Sequence, residues 1–246
     1  NIACLMAYYG WKSYPQAKLD LCRHSWDLKR KLKAWGCDVR FVTNSPDGAI
    51  SIYHEDRKLD KDGNRKLSRA TRGGWSSRFG AMRMLRERDE VPAFLSQLDF
   101  VPDVYFFEYP EAGPAALGKA LREKGSLVYF EPEVINGNED RIRKIMRRIE
   151  VCDVMKFSNQ SLPDTSFCGQ YPDKLFIQTC GPDGVRFNLR GEGWVNVPTF
   201  DNDHVVDTLG AGDFTTSTFL HSLGEMNALK FADLTSDIVT KALTEA

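Results

Sequence analysis

No uninterrupted apolar run in the chain approaches the ~20 residues needed to cross a bilayer, which argues against a membrane-spanning helix and for a soluble protein with no membrane partner. The opening stretch, NIACLMAYYGWKSYP, lacks the basic start and longer apolar core of a secretory signal, so the expected location is cytoplasmic. Histidines number four, and the six cysteines (Cys4, Cys22, Cys37, Cys152, Cys168, Cys180) have no close paired spacing, which removes the zinc-cluster reading and leaves reduced thiols. An excess of one charge is missing too. With 33 Lys and Arg against 34 Asp and Glu, the chain as a whole does not advertise a polyanionic partner. An early GxGxxG fingerprint is absent, which weakens an oxidoreductase reading, and there is no internal repeat or low-complexity tract.

What is present suits one substantial core. The chain has 246 residues, 42% of them hydrophobic, enough for a single α/β domain spanning 1–246. Short β-branched and aromatic runs alternate with helical periods, the pattern of βα units on a mostly parallel sheet. VYFF at 104–107 predicts a strand, 114–125 a helix, and LVYF at 127–130 the next strand. Between Glu139 and Glu150, Ile142, Ile145, Met146 and Ile149 repeat at helical spacing and predict a helix with one apolar stripe. Strands are expected at 151–157, 175–179, 185–189, 194–198 and 204–207, then a helix carrying Phe214, Phe219, Leu220 and Leu223. Upstream, a helix over Trp26–Trp35 precedes strands at 38–42 and 49–53. Arg57 to Arg88 holds eleven Lys or Arg against three Asp or Glu. That segment reads as a solvated surface, or as a small lid or insertion at about 49–88 with a role over phosphorylated ligands. Nucleic-acid binding is not expected, because no recognisable module or aromatic platform accompanies it.

The chemistry concentrates in VVDTLGAGDF, Val205–Phe214. Gly210, Ala211 and Gly212 allow backbone amides to converge at a helix start, where fixed N–H groups can stabilise a transferring phosphoryl group. Asp213 follows at once, placed to take the proton of an attacking hydroxyl as general base. Thr208 could orient a phosphate, and Asp207 could reach magnesium through water. The plainer reading is a tight βα turn whose Asp caps the helix.

The register DTxGAGD (Asp207, Thr208, Gly210, Ala211, Gly212, Asp213) resembles the signature of the PfkB, or ribokinase-like, carbohydrate kinase family. A second stretch, FIQTCGPDG at 176–184, is similar to the family's nucleotide loop and implies that Thr179, Gly181, Asp183 and Gly184 line the ATP side. Asn1–Gly10 resembles the end of the family's substrate motif, which implies that Asn1 touches substrate hydroxyls. The resemblance implies a three-layer α/β/α sandwich with a small β lid. It also implies ATP and Mg²⁺ as cofactors, a small hydroxylated metabolite as acceptor, and a lid sheet that supports homodimers. One departure stands out. KFSNQSLP, Lys156–Pro163, aligns with the family's Asn-x-x-Glu, yet carries Ser158 and Ser161 there, and a serine lacks a carboxylate's attraction for magnesium. Glu131 and Glu133 are candidate acids at another strand end, or plain surface carboxylates. Two functions therefore stay open: phosphorylation of a sugar, nucleoside or polyol hydroxyl, and a nucleotide or metabolite sensor that has lost turnover.

Overall fold

The computed structural model describes residues 1–48, 50, 53–54, 58–59, 65–66, 71–72, 85, 87–132, 139–200 and 208–246; at 53–54, 58–59, 65–66 and 71–72 it describes backbone alone. The chain divides into two compact units, one of Asn1–Met84 with Asp203–Ala211 and one of Leu85–Asn202 with Gly212–Ala246.

In the first unit, helix α1 (Ile2–Tyr8) buries Ile2 and Met6, one helical turn apart. Strand β1 (Ala17–Leu19), helix α2 (Arg23–Ala34) and strand β2 (Val42–Asn44) form a βαβ unit whose two strands pair in parallel. The strand expected at 38–42 begins only at Val42. Asp38 explains the delay: its carboxylate accepts the Arg40 amide at 3.0 Å and bends the chain into a turn closed by Val42 N–H on Val39 O. Four two-residue strands fall within 49–88: β3 (Tyr53–His54), β4 (Lys58–Leu59), β5 (Arg65–Lys66) and β6 (Thr71–Arg72). They pair antiparallel as β3 with β6 and β4 with β5. Most of the basic 57–88 stretch and of the strand expected at 49–53 lies outside the described residues.

The second unit is built on a six-stranded sheet. Its elements are α3 (Glu90–Leu95), β7 (Val104–Phe107), α4 (Ala112–Glu123), β8 (Leu127–Phe130), α5 (Glu139–Met146), β9 (Val154–Ser158), β10 (Leu175–Thr179), β11 (Val185–Leu189), β12 (Trp194–Val197), α6 (Ala211–Glu225) and α7 (Ser236–Glu245). Spatial order is β12-β11-β10-β9-β8-β7, with β7 to β10 parallel and β10-β11-β12 antiparallel. Parallel strands covered on both faces need apolar residues at every position, and β8 is buried throughout.

Side-chain alternation separates the two faces. A Cβ added to Gly118 of α4 would meet Val128 and Tyr105 at 3.3–3.4 Å, so α4 lies on the Val128 face. The next residue, Tyr129, packs its ring on Phe219 of α6, so α6 covers the opposite face. Helices on both sides of a mostly parallel sheet make the α/β/α sandwich expected from the sequence.

One helix differs from expectation. The one expected to run to Glu150 ends at Met146 and tightens into a 3₁₀ turn at Ile149–Val151. Cys152 must already be extended to feed β9, which leaves no room for another α turn, and Ile145 and Ile149 are still fully buried. In α6, Phe219, Leu220 and Leu223 are buried, whereas Phe214 is 54% exposed. Five residues of helix rotate Phe214 about 140° away from Phe219, and Thr216 takes the inward position instead.

Candidate active site

The parallel register sets Thr179 beside Ser158 at the carboxyl ends of two strands. β9 and β10 pair with Ser158 opposite Thr179, the last residue of each strand, and Asn159 N–H donates to Thr179 O at 2.9 Å. Ligands of parallel α/β sheets sit beyond such carboxyl ends. After Thr179 the chain turns sharply, with Gly184 N–H on Gly181 O at 3.1 Å and Cys180 N–H on Gly184 O at 2.8 Å. Gly184 has φ +86, and a Cβ there would lie 2.4 Å from Val197 O and 2.7 Å from Thr199 N. Glycine is therefore required by both conformation and space. Asp183 is exposed at the tip of this turn.

The glycine turn before α6 has its own logic. Ala211 N–H donates to Thr208 O at 3.1 Å across a turn with Gly210, φ +83, at its third position. A type II turn needs positive φ there, which is why glycine follows Leu209. The amide of Ala211 is thus used in closing the turn. Asp213, half-buried, stands in the first turn of α6, where backbone N–H groups have no intrahelical acceptor. Asn1 caps α1 in the first unit, its carbonyl accepting the amides of Cys4 and Leu5. Asp207 and Glu133, together with the strand expected at 204–207, lie outside the described residues.

The polar centre of the second unit is Lys156. Its side chain is 2% exposed, and its ammonium donates to Glu131 Oε1 at 2.5 Å, Thr216 Oγ1 at 2.7 Å and Gly212 O at 2.8 Å. Thr216 in turn donates to Glu131 Oε2 at 2.6 Å. Lys156 lies on the α6 face because Val154, two residues earlier, pairs with Tyr129; Ser158, two residues later, shares that face. Glu131, one of the two acids weighed from the sequence, is not a plain surface carboxylate, since both its oxygens are engaged in this network.

Ser158 and Ser161, which stand where the motif has Asn and Glu, bond to each other at 2.7 Å, and Ser161 N–H donates to Ser158 Oγ at 3.1 Å. Among the described residues no group of three His, Cys, Asp or Glu could hold a metal ion, and no helix is long and apolar enough to cross a membrane.

No family model matches the chain, and no curated protein sequence does. Solved structures do. A fructokinase with bound ATP from Xylella fastidiosa superposes with a TM-score of 0.74 at 16% identity, over 98% of this chain and 79% of that one. A fructokinase from Vibrio cholerae in its fructose-, ADP- and calcium-bound form gives 0.71 at 15%, over 98% and 79%. Aminoimidazole riboside kinase from Salmonella enterica, complexed with aminoimidazole riboside and an ATP analogue, gives 0.69 at 17%, over 100% and 80%. The chain has the ribokinase-like fold.

Within this ribokinase-like fold, sequence reasoning found the two glycine turns because glycine and Asp213 announce themselves at fixed offsets. It passed over Lys156. A lysine inside an apolar strand is itself a signal, since it is almost never buried without a partner, and VMKFS places one between Met155 and Phe157.

Proposed function

We propose that the protein is a PfkB-type kinase that transfers the γ-phosphoryl group of ATP to a hydroxyl of a sugar, nucleoside or related polyol. The observation that carries this reading is the Lys156 network, which joins the strand end bearing Ser158 and Thr179 to the helix start bearing Gly212 and Asp213. A phosphate-binding turn and a carboxylate on a helix start suit phosphoryl transfer, which is mostly positioning and charge stabilisation.

ATP supplies the transferable group, and magnesium arriving with its phosphates offsets their charge. The fit to the nucleotide rests on the loop after Thr179: at Gly181 an added Cβ would meet nothing within 4 Å, which leaves room for a phosphate chain, and Gly184 holds the turn against the β12 end. The fit to magnesium is less complete on the protein side: Ser158 and Ser161 offer hydroxyls, and Glu131 is committed to Lys156. Mg²⁺ commonly takes few protein ligands and keeps water and substrate phosphates, so this donor set suits an ion held mainly by the nucleotide. Thr208 adds a hydroxyl beside the turn, and Asp207 would act through water. Gly210, Ala211 and Gly212 shape the helix start that receives the phosphoryl group, with the amides beyond Ala211 as donors. Asp213 accepts the proton of the acceptor hydroxyl as its oxygen bonds to phosphorus and ADP departs. Asn1 is assigned to the acceptor.

Incubation of the protein with ATP, Mg²⁺ and a panel of hydroxylated metabolites should give ADP and one phosphorylated product. Asp213→Asn should lower kcat by about 10²-fold or more while ATP binding is kept, because size is preserved and basicity is lost. Unchanged turnover in that variant would remove Asp213 from the general-base role. The Ser158–Ser161 pair motivates the second reading, a sensor that binds nucleotide without transferring phosphate; tight ATP binding with no product across the panel would select it.

A further inference from the structure

Resting on the kinase reading, we propose that Lys156 is a positioning residue that clamps the first turn of α6, and with it Asp213, to the sheet floor. The ammonium has three protons, and each finds one acceptor. Two of those acceptors, Gly212 O and Thr216 Oγ1, are four residues apart on α6 and therefore lie one turn above the other. A single rigid group thus grips both ends of the turn that contains Asp213. The third acceptor, Glu131, follows β8, and Lys156 itself is in β9, so the grip is anchored in two adjacent strands.

The charge arrangement is unusual for a helix start. A helix N-terminus already carries about half a positive charge, so a cation beside it is unfavourable on its own. Glu131 offsets it, and Thr216 closes the triangle by donating to the second carboxylate oxygen. A buried ion pair of this kind is seldom a net gain in stability over an apolar packing, but it fixes geometry, because each group loses its partner if the helix slides or turns. Gly212 belongs to the same device: a Cβ there would stand 3.5 Å from Lys156 Nζ and 3.8 Å from Glu131 Oε1. Alanine would make ordinary contact, whereas a longer side chain would have to displace the ammonium.

The test uses the full chain and two readouts. Thr216→Val keeps shape and removes one leg of the clamp, and Thr216→Ser restores the hydroxyl. Lys156→Met combined with Glu131→Gln removes the ion pair without stranding a buried charge. In the clamp-deficient variants, the amides of Thr215, Thr216 and Ser217, which donate to the first-turn carbonyls of α6, should exchange with solvent about tenfold faster or more than in the wild type, while those of β9 and β10 keep their protection. In the transfer assay kcat should fall about tenfold or more with little change in KM for ATP, and Thr216→Ser should recover both values. Unchanged exchange in Thr216→Val and in the double variant overturns the clamp. Faster exchange with wild-type kcat overturns its role in positioning. If the wild type transfers no phosphate to any acceptor, the kinase reading fails, and the exchange data alone still decide whether Lys156 holds the helix.

Discussion

Gly184 is the residue on which the loop after β10 turns. Its dihedral angles, φ +86 and ψ −138, are reached almost only by glycine, and the β12 end leaves a Cβ no space, with Val197 O 2.4 Å away. Gly184→Ala should therefore destabilise the protein by about 2–4 kcal/mol through strain and displaced backbone, read as a lower urea midpoint with unchanged slope. The neighbouring Gly181, whose added Cβ would meet nothing within 4 Å, has only its positive φ to satisfy. The buried carboxylate of Asp153 is paired at both oxygens. Asp153 accepts from Arg122 Nε at 2.6 Å and from Val128 N–H at 2.8 Å, tying α4 to the β8–β9 junction. Cys152, buried beside it, is pushed up to about 12 by desolvation and stays a thiol at neutral pH.

Among the elements, α2 depends most on a single carboxylate. Its sequence is largely polar, only Ser25 is buried, and the side chain of the N-cap residue Cys22 takes no backbone amide. Asp20 supplies the missing acceptor, taking Cys22 N–H at 3.0 Å and Ser25 Oγ at 2.5 Å. Burial alone would raise the Asp20 pKa, but the hydrogen bonds from Cys22 and Ser25 outweigh it and hold the carboxyl below its usual value. A depressed folded-state value means that the stabilisation is present above the unfolded pKa of about 4 and is lost as pH falls through the folded one. Asp20→Asn should then cost roughly 0.5–1 kcal/mol at pH 7 in thermal melts, and the gap to wild type should narrow as pH drops below about 4.

The elements also mark where the sequence was informative. VYFF, LVYF, LFIQT and VRFNL became β7, β8, β10 and β11 at their expected bounds, because each is a short apolar or alternating run closed by turn residues. β1 and α3 were not anticipated. AKL is three residues long, and Pro92 sits inside α3, so neither has a period strong enough to read. The strand expected at 38–42 was misjudged because the Asp38 side-chain hydrogen bond decides that stretch and hydrophobicity does not. Lys156 needed three dimensions, since its partners lie 25, 56 and 60 residues away.

For the whole molecule, the kinase reading makes a thermodynamic demand. A ligand that binds only the folded chain stabilises it by mass action, about 2.7 kcal/mol at a hundred times Kd. For a protein of 246 residues, that should raise Tm by about 5–10 °C when saturating MgATP is added, measured by calorimetry against MgCl₂ alone. A flat melting temperature across ATP concentrations would count against nucleotide binding in either functional reading. The neighbouring pair Ser158 and Thr179 gives the strand-end face one more property. Each is the last residue of a strand, and parallel strands hold their neighbours at about 4.8 Å. The gauge between those two residues is accordingly set by the ladder of main-chain bonds behind them, so substitutions among their side chains can retune chemistry while the gap itself stays put.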